Sequence, residues 1–194
     1  MILLSRIGGA ALVAVWFTAA IFGIASLHRY SGTPAPVGRS QVRWPVSSQI
    51  KPSPRKATFV LFLHPHCPCS RASVAVMNEI VTQFPSAAEY HAVFVRPTGV
   101  NDDWAETDLF RKCKSMVGLV TSIDEDGSEA KKFGAKASGQ TYIYDADHRL
   151  AFSGGITPGR GMEGKGEERT MVESALSKKL SSPLHSPTFG CALI

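Results

Sequence analysis

Cysteine is scarce in this chain. Its 194 residues include four, Cys67, Cys69, Cys113 and Cys191. That is too few, and too uneven a spacing, for a small disulfide scaffold. Basic clusters are also missing. The net charge is +5, yet Lys and Arg never run beyond a pair. Without a basic stripe there is no electrostatic footprint for nucleic acid, and none is expected as a partner. No internal repeat is present, which excludes solenoids and propellers. What remains is an ordinary globular composition, 44% hydrophobic, with a length suited to one or two domains.

Only one apolar run is long. Ile7 to Leu27 carries no charge and is bracketed by Arg6 and by His28-Arg29. As a helix it spans about 31 Å, the thickness of a bilayer core. A cleaved signal has a shorter apolar stretch and a small-residue cleavage site, and here Ala19-Ala20 lies inside the run. The reading is therefore a single-pass anchor over residues 1–29 in the cell membrane. Arg6 favours a cytoplasmic N-terminus, whereas Arg29, Arg39 and Arg43 favour the reverse. The thiol chemistry described next favours an extracytoplasmic domain.

Residues 30–56 read as a linker, because Pro34, Pro36, Pro45, Pro52 and Pro54 break any helix. Within it Val42, Trp44 and Val46 alternate as in a short edge strand. The folded domain is expected over 57–180, followed by a tail, 181–194. Thr58 to Leu63 is a nearly continuous apolar run of strand length, as in a strand buried on both faces. Val74, Met77, Ile80, Val81 and Phe84 then recur at helical spacing up to Pro85. Further elements follow: a strand Tyr90–Val95, a helix Asp102–Met116 capped by Asp102 or Asp103, and a strand Val117–Ile123. A short helix Ser128–Phe133 comes next, then a hairpin of Gln140–Tyr144 and Arg149–Ser153, then a helix from Glu167 to about Leu180. The order β-α-β-α-β-α-β-β-α implies an α/β fold, a mixed sheet flanked by helices. It is the element order of the thioredoxin fold with one helix–strand insertion, and it resembles peroxiredoxin-like and membrane-tethered thiol-disulfide proteins.

The reactive residues gather at one strand-to-helix junction, Leu63-His64-Pro65-His66-Cys67-Pro68-Cys69-Ser70-Arg71. Cys67 sits at the start of the helix, where unpaired N–H groups and the helix dipole stabilise a thiolate. It is the candidate nucleophile. A thioredoxin-type second thiol would fall at Ser70; the thiol stands instead at Cys69. Three roles are open for Cys69: resolving thiol, metal ligand beside Cys67, or bystander. His64 and His66 are either loop residues or tune the Cys67 thiolate and move its proton. With Cys67 and Cys69 they form an alternative copper(I) or zinc set, although His-x-His-Cys-x-Cys matches no familiar structural zinc spacing. Cys191 lies in an extended tail that has the length to fold back on Cys67, as resolving thiol or third ligand; its other reading is a free thiol. Cys113 falls on an apolar helix face and reads as a core residue. Gly159 to Lys165 has the spacing of a phosphate loop, but Gly166 replaces the Ser or Thr that would bind magnesium. A flexible docking loop with Arg160 exposed is the better reading.

Several motifs occur in order. Cys67-Pro68-Cys69-Ser70 follows a strand; Gly134-Ala135-Lys136-Ala137-Ser138-Gly139-Gln140-Thr141 leads to Tyr142-Ile143-Tyr144-Asp145. Phe152-Ser153-Gly154-Gly155-Ile156-Thr157 comes next, and Phe189-Gly190-Cys191 closes the chain. Together they resemble the RedB-type group of bacterial membrane-tethered thioredoxin-like proteins. The resemblance implies a thioredoxin-like fold and a redox role outside the cytoplasm. The resemblance supplies no substrate; the redox reading itself takes protein or small-molecule thiols and disulfides as partners and no cofactor, with copper as the alternative. One departure stands out. The cis-proline of thioredoxins should fall near Gln140 and Thr141, and no proline is there. These two residues are expected in the substrate loop, with the Gln140 amide on Cys67 or a ligand.

Overall fold

The computed structural model describes residues 2–36, 38–177 and 180–193. The chain forms two compact units, Met1–Thr33 and Pro34–Ile194. The first is one helix, α1 (Ile2–Gly32). Its stretch Ala11–Gly32 has a mean hydropathy of 1.9 and is long and apolar enough to cross a membrane. Leu12, Val13, Trp16, Ile21 and Phe22 are all exposed and point around the helix. An apolar surface all round suits lipid rather than a one-sided protein interface. The helix continues beyond Leu27 into residues read as linker, and Ser31 and Thr33 hydroxyls donate to carbonyls one turn back.

The second unit is a mixed α/β structure. In order it holds β1 (Ala57–Leu63), α2 (Cys69–Gln83), β2 (Ala88–Arg96), α3 (Asp108–Lys114) and β3 (Leu119–Glu125). Then come α4 (Ser128–Phe133), β4 (Gln140–Tyr144), β5 (Leu150–Gly154), α5 (Glu167–Ser177) and β6 (Leu184–His185). The sheet order is β3-β2-β1-β4-β5-β6. β1 pairs parallel with β2 and antiparallel with β4; β2 pairs parallel with β3, and β4 antiparallel with β5. The α/β class expected from the sequence, a mixed sheet flanked by helices, is the one observed.

Alternation along β1 explains its continuous apolar run. Phe59, Leu61 and Leu63 enter one core with Val74, Met77 and Ile80 of α2. Val60 and Phe62 enter a second core with Phe133, Tyr142 and Tyr144. Both faces are covered, so the side chains from Phe59 to Leu63 are all apolar, and the buried Thr58 hydroxyl accepts the Ser53 N–H at 2.8 Å. β1 is thereby fixed at the centre of the sheet, and the chain leaves its end directly into the cysteine loop.

Three boundaries differ from expectation. The helix expected over Asp102–Met116 breaks into a single 3-10 turn, Asp102–Trp104, and α3. Thr107 caps α3 by accepting from the Phe110 N–H at 3.4 Å, which restarts the helix five residues later. Residues 34–56 do not stand clear of the domain. Trp44 is buried against Phe133 and Tyr144, with ring centroids 5.1 Å away in each case. Arg43 forms an isolated antiparallel bridge with Arg149, so the expected edge strand shrinks to one pair. The tail, finally, is part of the fold: β6 lies parallel to β5. The last helix is described to Ser177; the Lys178 and Lys179 portion of the expected helix lies outside the described residues.

Candidate active site

Cys67 stands one residue before Pro68, the N-cap of α2. The turn into the helix is closed by the Cys67 N–H on the His64 carbonyl (3.1 Å) and the Ser70 N–H on the Cys67 carbonyl (3.0 Å). Pro68 lacks an N–H at a place where a helix has no partner for one. The Cys67 side chain is 4% exposed.

The tail meets it there. The Cys67 and Cys191 sulfurs are 2.9 Å apart, across 124 positions of sequence. Both are free thiols. Burial alone pushes the Cys67 thiol up. Hydrogen bonds from the Cys191 side chain and from the N–H groups of Cys191, Cys69 and Ser70 outweigh it, and the net shift is below the ordinary thiol value. Cys191 moves the other way, to about 11, because it is buried, donates a hydrogen bond to the Cys67 thiolate, and faces the charges of Cys67 and Cys69. Cys69 is also raised, by burial and then by the Cys67 charge; Arg160 and the Gly161 N–H partly offset this. One acidic thiol therefore sits between two that hold their protons.

Ser70 explains why no thiol occupies the thioredoxin position. It is wholly buried, and its hydroxyl lies 2.9 Å from the His64 carbonyl and 2.7 Å from the Ser138 hydroxyl. Ser138 in turn accepts the His64 N–H at 2.9 Å. The two serines tie the cysteine loop to the loop before β4. This is a structural role for Ser70, not a redox one.

The histidines turn elsewhere. His66 Nε2 lies 2.8 Å from the Trp104 carbonyl, and both imidazoles pack edge-on to the Trp104 ring. The His64 pKa is lowered by burial and then by His66. The Gln140 amide likewise does not face Cys67: its Oε1 accepts from the Lys136 N–H (3.0 Å) and its Nε2 donates to the Tyr142 hydroxyl (2.8 Å). Thr141 donates to the Gly139 carbonyl at 3.3 Å. Both are buried braces for the loop. Cys113 is wholly buried in the core, where burial pushes its thiol up to about 11.

Arg160, expected as an exposed loop residue, is half-buried, with a guanidinium N–H 2.6 Å from the Gly190 carbonyl, and its charge offsets only part of the rise at Cys69 and Cys191. A lone Arg among glycines gives no sequence signal for that role. A groove of about 290 Å³ opens beside Cys67, lined among others by His66, Arg71, Thr107 and Asp108. Among the described residues no group of three or more His, Cys, Asp or Glu is arranged to hold a metal ion.

No family model and no curated protein matches the chain. Solved structures do. An uncharacterised conserved protein from Geobacillus kaustophilus superposes with a TM-score of 0.60 at 18% identity, covering 84% of this chain and 90% of that one. A hypothetical protein from Sinorhizobium meliloti 1021 gives 0.54 at 20% identity, over 84% and 96% of the two chains. The exposed lipoprotein thioredoxin of Streptococcus pneumoniae gives 0.41 at 17%, over 62% and 83%. At these identities the likeness to the first two is one of fold.

Proposed function

We propose that this chain is a membrane-anchored thiol-disulfide oxidoreductase whose exchanging pair is Cys67 and Cys191. The observation that carries the reading is the 2.9 Å contact between the two sulfurs, one acidic and one proton-bearing. Cys67 as thiolate attacks one sulfur of a client disulfide. The S–S bond breaks, the other client sulfur leaves as a thiolate, and a mixed disulfide forms on Cys67. Cys191 then attacks the Cys67 sulfur, expels the second client thiolate, and closes the Cys67–Cys191 disulfide. The client gains two electrons and the protein loses two; one client thiolate takes the proton that Cys191 gives up on attacking, and the other takes one from solvent, equal to the one Cys67 released on ionising. The reverse sequence oxidises a client dithiol.

Sulfur alone carries this chemistry, so no cofactor is required, and clients are protein or small-molecule disulfides and thiols. Cys69 is the weaker competitor for Cys67, because the sulfur held 2.9 Å from Cys67 is that of Cys191. α1 serves as the anchor, and a disulfide-forming pair fits a domain held outside the cytoplasm. The motif order supports a place in the RedB-type group of tethered proteins.

Turnover of a small chromogenic disulfide by the reduced full chain tests the reading. Cys67→Ser abolishes reaction, Cys191→Ser stops it at a mixed disulfide, and Cys69→Ser leaves it within about threefold. Full turnover in Cys191→Ser together with loss in Cys69→Ser would assign the pair to Cys67 and Cys69 instead.

A further inference from the structure

Cys191 reaches Cys67 on a paired strand rather than a loose tail. Its carbonyl accepts the Ser138 N–H at 2.8 Å, and two residues on the Leu193 N–H donates to the Lys136 carbonyl at 3.0 Å. Ala192 thereby forms an antiparallel bridge with Ala137. Leu193 is 2% exposed and belongs to the core cluster of Phe62, Phe133 and Tyr142. On the other side of the cysteine, Gly190 approaches so closely that a Cβ there would lie 1.8 Å from the Ser138 carbonyl oxygen. Main-chain pairing of this kind takes any extended segment, and side-chain pockets at alternate positions supply selectivity. Here the cysteine faces Cys67, the residue before it must be glycine, and the residue two beyond it fills an apolar pocket.

We propose that residues 190–193 are a detachable occupant of a peptide-docking edge, and that the client is an extended polypeptide segment of the pattern Gly-Cys-x-Leu or a close apolar equivalent. The proposal rests on the exchange chemistry above and adds its order of events. A client segment replaces the tail on the backbone of 136–138 and presents its disulfide sulfur where Cys191 Sγ lies. Cys67 attacks that sulfur, and the distal client sulfur leaves as a thiolate. The tail then returns to the same edge, and Cys191 attacks Cys67. Resolution and client release are one event, because the resolving thiol arrives on the strand that displaces the product. A small disulfide needs no edge and reaches Cys67 without this exchange.

The test uses the reduced full chain in detergent with Cys69→Ser and Cys191→Ser, so that the first step is trapped on Cys67. The tail is then dislodged in two independent ways: Gly190→Ala, which drives a Cβ into the Ser138 carbonyl, and Leu193→Asp, which places a charge in the apolar pocket. Probes are pyridyl disulfides of free cysteine and of two short peptides that differ only in Leu or Asp two places after a Gly-Cys pair. With the tail dislodged, the Leu peptide gains at least about tenfold in rate relative to free cysteine, because the competent state is no longer the minor one. The Asp peptide does not. Equal gains for all three probes would overturn the proposal and reduce the tail to a shield over the sulfur. Failure of Cys67 to react even with the cysteine probe would sink the redox reading itself. Amide exchange of β1 and β2 checks that each variant is folded.

Discussion

Cys67 and Cys191 share one sulfur contact, and in the proposed exchange that sharing decides which thiol attacks first. In the ionised state Cys191 is the donor and Cys67 the acceptor, so the acidity of Cys67 is borrowed from its partner. Removing the donor should raise the Cys67 pKa. The sign follows directly: the thiolate loses a hydrogen bond, so the proton is held to higher pH and less thiolate is present at neutrality. In Cys191→Ala the midpoint of the pH profile for Cys67 alkylation therefore moves upward; an unchanged midpoint would show that the helix start alone sets it. Ser70 offers a second test. Ser70→Ala removes the buried hydroxyl joining the His64 carbonyl to Ser138. It should cost about 1–3 kcal/mol in urea denaturation and leave the identity of the disulfide unchanged. The sequence marked Cys67 through its place at a strand-to-helix junction. It did not mark the serine tie, because two buried hydroxyls that meet across 68 positions leave no periodic pattern.

At the scale of elements, the central strand was the most legible part. A strand covered on both faces is apolar almost throughout, and Phe59 to Leu63 says so without help from tertiary structure. The helix around Leu109 was less legible, because its Thr107 cap competes with two acidic residues just upstream. Thr107→Ala should cost about 1 kcal/mol, read as a lowered denaturation midpoint. Residues 34–56 were the least legible. Their prolines exclude helix, but they say nothing of the pocket between Phe133 and Tyr144 that Trp44 fills. Trp44→Ala should destabilise the domain by about 3–5 kcal/mol; a loss near zero would return this stretch to the role of a free linker. The tail follows the same logic. Its prolines correctly indicated an extended segment, while its pairing with 136–138 depends on contacts that no local pattern encodes.

At the scale of the molecule, the account joins an apolar helix, a mixed sheet and a sulfur pair closed by the tail. The helix predicts that the intact chain stays in the membrane fraction after alkaline carbonate washing, with its N-terminal segment retained; recovery of a shortened soluble chain would identify that segment as a cleaved signal. The central claim concerns the tail, and disulfide mapping of the oxidised full chain tests it most directly. The chain is alkylated under denaturing conditions without reductant, digested and read by mass spectrometry. The account predicts a peptide pair linked through Cys67 and Cys191, with Cys69 and Cys113 alkylated. A Cys67–Cys69 link, or four alkylated thiols after oxidation, would contradict it.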